Sequence, residues 1–296
     1  MTRLSADDVR DLSQQLSIFE ADLRAVTGLG LRELAAAAAD WPSDAHFLGA
    51  RVAAVPVTTG EGIISGFADC VAAILRHLGC VACVTAKDDA RGLQEAVDGG
   101  AEAVFLADDY RFIALNLTRA LCVDNDQSTA EGYVTALGAA AGGLLNRDVL
   151  LLGLGPVGLA AARCLVDGGA LVHVVEPDEA RLQAVLESGL KLDPVTLKDG
   201  LDACDLILDA SPAADLIDAA DVGMNSVAAV PGLPSAFTIE AQAALGPRHI
   251  HEPLAIGVAV MAARALAPRG PHANARKEPR CNPAMRGVDR KDQRGL

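Results

Sequence analysis

The chain has 296 residues, half of them apolar and only 3% aromatic, and carries a formal net charge of −14. That length fits one large domain or two of ordinary size, and the Ala-, Val-, Leu- and Gly-rich composition suits helices packed on a parallel sheet better than a β-sandwich. The acidic balance argues against nucleic acid as a partner, and with no apolar run of membrane-spanning length and no signal-peptide core in MTRLSADDVR, a soluble, cytoplasmic protein is expected.

In chain order, residues 5–27 read as an amphipathic helix: Ser5 can cap it, Val9, Leu12, Leu16, Phe19 and Leu23 recur at helical spacing, and Gly28 marks its end. A short Ala-rich helix over 31–39 and a loop through Pro42 follow. Strands over 51–55, 81–85 and 103–107 then alternate with helices around 62–78 and 90–98, the pattern of a parallel αβ sheet. A long Ala/Gly-rich helix over 128–145 leads out as a connector. A second alternation starts at Asp148, with strands at 149–153, 171–176, 205–210, 226–232 and 249–253, helices at 157–168, 178–188, 238–244 and 254–266, and a short helix between the third and fourth strands.

The expected fold class is therefore α/β: an N-terminal αβ domain over 1–146 and a second αβ domain over 147–267, with parallel sheets in both. From Ala267 onward there are eight Lys or Arg against three Asp or Glu, so this segment carries +5 and the remainder −19. Its Pro, Gly, Arg and Asn content shows no apolar period, and 268–296 reads as a disordered basic tail.

Seven cysteines are scattered at 70, 80, 83, 122, 164, 204 and 281. The pair Cys80-Val-Ala-Cys83, with His77 upstream, has ligand-like spacing but no second pair to complete a zinc site. In GCVACVT it reads as a buried strand, and no metal is expected.

VLLLGLGPVG contains Gly153-Leu154-Gly155-Pro156-Val157-Gly158, a G-x-G-x-x-G pattern preceded by an apolar strand and followed by an apolar helix. Gly153 permits the tight turn, Gly155 lets backbone approach a pyrophosphate, and Gly158 lets helix and strand pack closely. Pro156 falls near the first helical position, with Val157 after it, and the helix N-terminus favours phosphate. The next strand ends in Glu176, placed to accept hydrogen bonds from ribose hydroxyls and to repel a 2′-phosphate. No Arg stands directly beside it in sequence, Arg181 being the nearest downstream, so NAD is the expected cofactor, 147–267 reads as a Rossmann NAD-binding domain and 1–146 as the substrate domain, with the substrate cleft between them. Ser211-Pro212 and Pro231-Gly232 end two further strands and are placed at the nicotinamide side, although simple turn chemistry also explains them.

The first domain must present substrate to that cofactor. Thr58 and Thr59 end its first strand, yet Thr58-x-x-Glu61 also reads as a capping box. Asp108 and Asp109 end the strand AVFLA, and one of them can cap a helix starting near Tyr110, which leaves the other unexplained. His251-Glu252-Pro253 ends the last strand, and Asp124, Asn125, Asp126 and Thr129 stand at the entry to the connector helix. Carboxylates without a following Arg or His suit an ammonium-bearing substrate better than a hydroxy acid.

VPVTTGEGII (55–64), FLADDYRFIALN (105–116), GLGPVG (153–158), VPGLP (230–234) and EPLAIG (252–257) together resemble the pyrrolysine synthase PylD family, over most of residues 1–266. The resemblance implies NAD-dependent oxidation of the terminal amine carbon of 3-methylornithyl-N6-lysine. The imine would lose ammonia to give an aldehyde, onto which the α-amine condenses to close the pyrroline ring. It assigns catalysis to Asp108, Asp109 and Glu252 and substrate contact to Asn125, with an N-terminal helix folded over the substrate from Leu4; Thr58 and Thr59, at their strand end, are further substrate-contact candidates. The partner it implies is a small, amine-rich, dipeptide-like molecule; a homodimer is the oligomer to test for. Two other readings stay open: an amino-acid or shikimate-type dehydrogenase of the same plan, and an NAD-sensing module whose tail docks a partner. The shikimate-type sites usually show a Lys-Asp or Lys-His pair, and Lys87 is the only lysine before residue 191.

Overall fold

The computed structural model describes residues 12–41 and 47–267; Leu4, Ser5, Val9, Pro42 and the 268–296 tail lie outside the described residues. Helices α1 (Leu12–Thr27) and α2 (Leu31–Ala38) precede the first sheet. That sheet is built from β1 (Arg51–Val55), β2 (Val81–Val84), β3 (Ala103–Ala107), β4 (Phe112–Asn116) and β5 (Leu121–Asp124), with α3 (Phe67–His77) and α4 (Asp89–Asp98) as crossovers. Its order is β2-β1-β3-β4-β5. The pairs β1–β2 and β1–β3 are parallel, and β3–β4 and β4–β5 are antiparallel.

The antiparallel arm replaces the helix expected near Tyr110. Phe112, Ala114 and Asn116 are buried while Ile113 and Leu115 between them are only partly so, the two-residue period of a strand. The helix expected from residue 62 starts instead at Phe67. Gly60, Gly62 and Gly66 all hold positive φ, so 56–66 is a loop along the strand edge rather than a first helical turn.

Helix α5 (Asn125–Ala141) leads into the second sheet: β6 (Asp148–Leu152), β7 (Leu171–Val175), β8 (Asp193–Pro194), β9 (Leu206–Asp209), β10 (Val227–Ala229) and β11 (His249–Ile250). Helices α6 (Pro156–Asp167), α7 (Glu179–Glu187), α8 (Leu197–Ala203), α9 (Ile239–Leu245) and α10 (Ala255–Leu266) complete it. The order β11-β10-β9-β6-β7-β8 is parallel throughout and reverses direction between β6 and β9. This is the doubly wound arrangement, with a ligand crevice at the carboxyl ends of β6 and β9.

Helix α10, AIGVAVMAARAL, is apolar almost all round and buried over nearly its whole length, as such a helix must be. It lies against α2, α3, α5 and β4, so the end of the chain closes the core of the first half. Asn116 of β4 fastens it by donating to the Ala265 carbonyl at 2.8 Å. Among the described residues no helix is long and apolar enough to cross a membrane.

Cys80 is buried at the entry to β2, where burial pushes its thiol up to about 11, and Cys83 is exposed on that strand. Among the described residues no group of three or more His, Cys, Asp or Glu could hold a metal ion. Replacing both cysteines with valine should leave turnover unchanged and shift stability by about 1 kcal/mol or less, as for near-isosteric core exchange. Stoichiometric zinc in the purified protein, lost together with activity in the double variant, would contradict this.

Candidate active site

A cavity of about 770 Å³ runs along the carboxyl ends of both sheets and takes its walls from both halves of the chain, well within the range of small-molecule and cofactor sites. On the second sheet, Gly153, Gly155, Pro156 and Val157 line it at the end of β6. Gly153 sits at φ +84°, a left-handed turn that a side chain would strain. A Cβ on Gly155 would meet nothing within 4 Å, so this face is open for a ligand to approach. Gly158 lies beneath the turn, where a Cβ would overlap the Gly153 carbonyl oxygen. Pro156 is the first residue of α6, whose N-terminus points its free amides at the cavity. These features fit a pyrophosphate.

Glu176 follows β7 and its carboxylate accepts from the Leu154 amide at 2.6 Å and the Asp178 amide at 2.9 Å. The side chain is thereby fixed across the glycine turn, in the cavity wall. Arg181, past the end of the strand in sequence, stands beside Glu176 in space. Asp178 caps α7 by accepting from the Arg181 amide at 3.0 Å, and this first turn brings the guanidinium to 3.3 Å from Glu176. Glu176 and Arg181 are thus an ion pair in the cavity wall, and the expectation that no Arg stands beside the acid is corrected.

Ser211 and Pro212 after β9 and Pro231 and Gly232 after β10 line the cavity. The first-sheet wall opposite is formed by Val55–Val57, Gly62, Ile63, Ile64, Phe67, Phe105 and Phe112, together with Asp108 and Asp109. Both aspartates have local partners. Asp108 Oδ1 accepts from the Tyr110 amide at 2.8 Å and the Arg111 amide at 2.7 Å, closing the β3–β4 turn. Asp109 Oδ2 accepts from the Glu61 amide at 2.7 Å and lies where a Cβ on Gly60 would be. The helix cap once assigned to one of them does not exist, because a strand follows; the second aspartate braces the glycine loop.

Thr58 lies away from this wall. Its amide and hydroxyl both donate to Asp89 at the start of α4, at 2.8 and 2.5 Å, so it ties the loop to that helix instead of forming a capping box with Glu61. Thr58 and Thr59 are both exposed and neither lines the cavity. Asn125, first residue of α5, does line it, as does Thr129 one turn on. Gly257 of α10 makes room for both: a Cβ there would come within 2.5 Å of Thr129 Oγ1 and 2.8 Å of Asn125 Oδ1.

Glu252 is buried, and its neighbours Pro253 and Leu254 line the cavity while it does not. Its carboxylate turns onto the start of α10, accepting from the Leu254 amide at 2.9 Å and from the Ala255 amide, and its second oxygen has no hydrogen-bond partner. Tyr133 of α5 donates its hydroxyl to the Glu252 carbonyl at 2.6 Å. Burial pushes the Glu252 carboxyl up to about 7, against the lowering effect of the two amides. A carboxyl whose folded pKa is raised binds its proton more tightly folded than unfolded, so its contribution to stability is lost as pH rises from the ordinary carboxylate range through about 7. Glu252→Gln mimics the protonated form, so the variant should gain on the parent by on the order of 3 kcal/mol between about pH 5 and about pH 8. A stability difference that stays flat over that range in chemical denaturation would contradict the assignment.

A glycine turn on a helix N-terminus, an acid at the end of the neighbouring strand, and a doubly wound sheet with its crevice at the switch point define a dinucleotide-binding α/β protein of dehydrogenase type. The family model for the N-terminal domain of the pyrrolysine biosynthesis protein PylD matches residues 8–123. The chain is 32% identical over 273 residues to the pyrrolysine synthase of Methanosarcina acetivorans, covering 88% of this chain and 98% of that relative. It is 33% identical over 270 residues to the pyrrolysine synthase of Methanosarcina barkeri, covering 88% and 97%. Similar solved structures include quinate dehydrogenase from Corynebacterium glutamicum in complex with NAD, at TM-score 0.49 and 15% identity over 74% of this chain and 94% of that one. This chain belongs to the pyrrolysine synthase family.

Sequence reasoning missed three contributors. Arg181 stands too far along the chain from Glu176 for the sequence alone to pair them, and nothing in EPLAIG marks Gly257 as the residue that makes room for Asn125 and Thr129. Asp209 went unnoticed, although an acid ending an apolar strand two residues before a Ser is the signature of an Asx-type turn.

Proposed function

We propose that this chain is an NAD-dependent amine dehydrogenase that oxidises the terminal amine carbon of 3-methylornithyl-N6-lysine, with loss of ammonia and closure of the pyrroline ring to give pyrrolysine. The observation that carries this reading is the first-sheet wall of the cavity: among the described residues, its only charged side chains are Asp108 and Asp109. A substrate whose reacting end is an ammonium is complemented by that wall, whereas a hydroxy or oxo acid would want an Arg to clamp its carboxylate. The pyrrolysine synthase relatives support the same product.

NAD, when bound, supplies the hydride acceptor. The chain's residues hold the substrate and move its proton. Hydride leaves only a carbon bearing a neutral amine, so the ammonium must first give a proton to a carboxylate. Asp108 is the group assigned to that task, since one of its oxygens closes the hairpin turn and the other has no hydrogen-bond partner among the described residues. Asp109 fixes the loop that carries Ile63 and Ile64 into the wall. Asn125 offers an amide at the junction of the two halves. Glu252 acts through the turn it caps, which sets Pro253 and Leu254 in place. The imine then adds water and releases ammonia; the aldehyde so formed takes the α-amine and returns the water as the ring closes.

Purified protein given NAD and the dipeptide should form NADH and the pyrroline product in equal amounts, followed by absorbance and mass. NADH formation on shikimate or a hydroxy acid in place of the dipeptide would favour the other dehydrogenase readings, and NAD binding without turnover would favour a sensing module.

Preference for NAD over NADP is assigned to Glu176. With Arg181 already at its side, Glu176→Ser alone should raise the NADP-to-NAD ratio of kcat/KM by about tenfold or more, because it removes the repelling charge and frees a guanidinium for the 2′-phosphate. A parent protein that uses both cofactors equally well would show that the acid does not set the choice.

A further inference from the structure

Asp209, the last residue of β9, is fully buried, yet it serves two separate strand-end turns. Its Oδ1 accepts from the Ser211 amide at 3.0 Å and the Ser211 hydroxyl at 2.7 Å. Its Oδ2 accepts from the Ala236 amide at 2.9 Å, across 27 residues of chain. Its main-chain carbonyl accepts from the Gly232 amide, also at 2.9 Å. One residue therefore holds the turn after β9 and the loop after β10 in a single register. The two are pressed together so closely that a Cβ on Gly232 would overlap the Ser211 carbonyl oxygen. Ala236 is itself anchored, its carbonyl accepting from the Leu216 and Ile217 amides at 2.7 and 2.9 Å.

Both turns line the cavity, through Ser211, Pro212 and Ala213 on one side and Pro231, Gly232 and Leu233 on the other. They lie past the switch point on the β9–β10 side, away from the Glu176 ribose position at the end of β7. In a doubly wound sheet the two halves bind the two nucleotides of a dinucleotide, so this is the half that receives the nicotinamide and its ribose.

We infer that Asp209 is a positioning residue for the nicotinamide half of the site: its carboxylate pins the two turns that form the floor beneath the reacting ring, without touching cofactor or substrate itself. The inference rests on the dinucleotide reading given above. A neutral amide at this position keeps the volume but turns one acceptor into a donor facing another donor, and a buried donor left without a partner disturbs whichever turn it faces.

The test compares two ligands that share one half. NADH occupies both halves of the crevice, and ADP-ribose lacks the nicotinamide. For Asp209→Asn, the Kd of NADH should rise about tenfold or more while that of ADP-ribose stays within about twofold of the parent value, as expected for losing one charge-assisted hydrogen bond on one side only. Unchanged ADP-ribose binding also shows that the variant is folded, which a purely structural role for Asp209 would not allow alongside selective loss of NADH. Equal losses on both ligands, or none on either, would overturn the inference while leaving the dinucleotide reading intact. Failure of the parent protein to bind either ligand would overturn both. If the variant does not fold, amide hydrogen exchange on the parent protein decides. NADH should slow exchange at 211–213 and 231–236 together and ADP-ribose should slow neither, and protection of one turn without the other would overturn the coupling.

Discussion

Asp108→Asn should lower turnover with NAD by about 10²-fold or more, the ordinary cost of removing a positioned base. It should leave NADH binding and the melting transition close to those of the parent. Asparagine keeps the acceptor that closes the β3–β4 turn on the Tyr110 and Arg111 amides, so the fold loses at most about 1 kcal/mol, as for a cap exchanged between Asp and Asn. What it loses is charge and basicity at the cavity wall. Asp109→Asn should behave differently. Its carboxylate is engaged with the Glu61 amide against Gly60, so its loss should be felt through the loop and appear mainly in KM for the amine substrate. Near-normal turnover in both variants would mean that these acids only hold turns and that the amine is handled elsewhere.

The second large effect is expected at Gly158, which is not a cavity-lining residue. Gly158→Ala places a methyl group against the backbone carbonyl of Gly153, where neither partner is a flexible side chain. Overpacking of this kind costs about 1–3 kcal/mol, and relief requires α6 to move off the glycine turn. NADH binding should then weaken by about tenfold or more, because the amides at the start of α6 no longer meet the pyrophosphate together. Gly155→Ala faces open space and should cost less stability, its effect falling on cofactor approach alone. Equal melting temperatures for the two alanine variants, measured without ligand, would contradict the packing argument.

The contrast between the halves of the chain shows what a sequence makes visible. Strands β6, β9 and β10 of the second sheet are short apolar runs buried along almost their whole length, and the glycine turn falls where strand meets helix; all of this is local, whereas the exposed two-residue β8, Asp193–Pro194, carries no apolar signal. The β3–β4 hairpin was misread because Asp108-Asp109 resembles a helix cap, and the alternation that decides for a strand begins only at Phe112. Residues 62–66 differ from expectation for a related reason: Thr58 and Glu61 have the spacing of a capping box, but the positive φ of Gly62 and Gly66 keeps the backbone out of the helix until Phe67.

The glycine turn at the cavity wall is legible because its chemistry is backbone chemistry tied to one motif. The directions of acids are not. Glu252 follows a strand, as Glu176 does, yet Glu176 bridges the cavity wall and Glu252 turns onto the first turn of α10. Only the packed tertiary structure separates these outcomes, since both begin as a carboxylate at a strand end. Arg181 is hidden for the opposite reason: the cap by Asp178 starts α7 so that its first turn carries Arg181 to Glu176, a pairing that the run of residues between them does not announce.

The central claim is that hydride leaves the carbon bearing the terminal amine, between the aspartates of the first sheet and the nicotinamide of the second. It is tested most directly with 3-methylornithyl-N6-lysine carrying two deuterium atoms on that carbon, turned over with unlabelled NAD and followed by mass. The account predicts one deuterium in the reduced cofactor, one retained on the imine carbon of the pyrroline ring, and one ammonia released per NADH. Reduced cofactor without deuterium, or a product that keeps both labels, would contradict it.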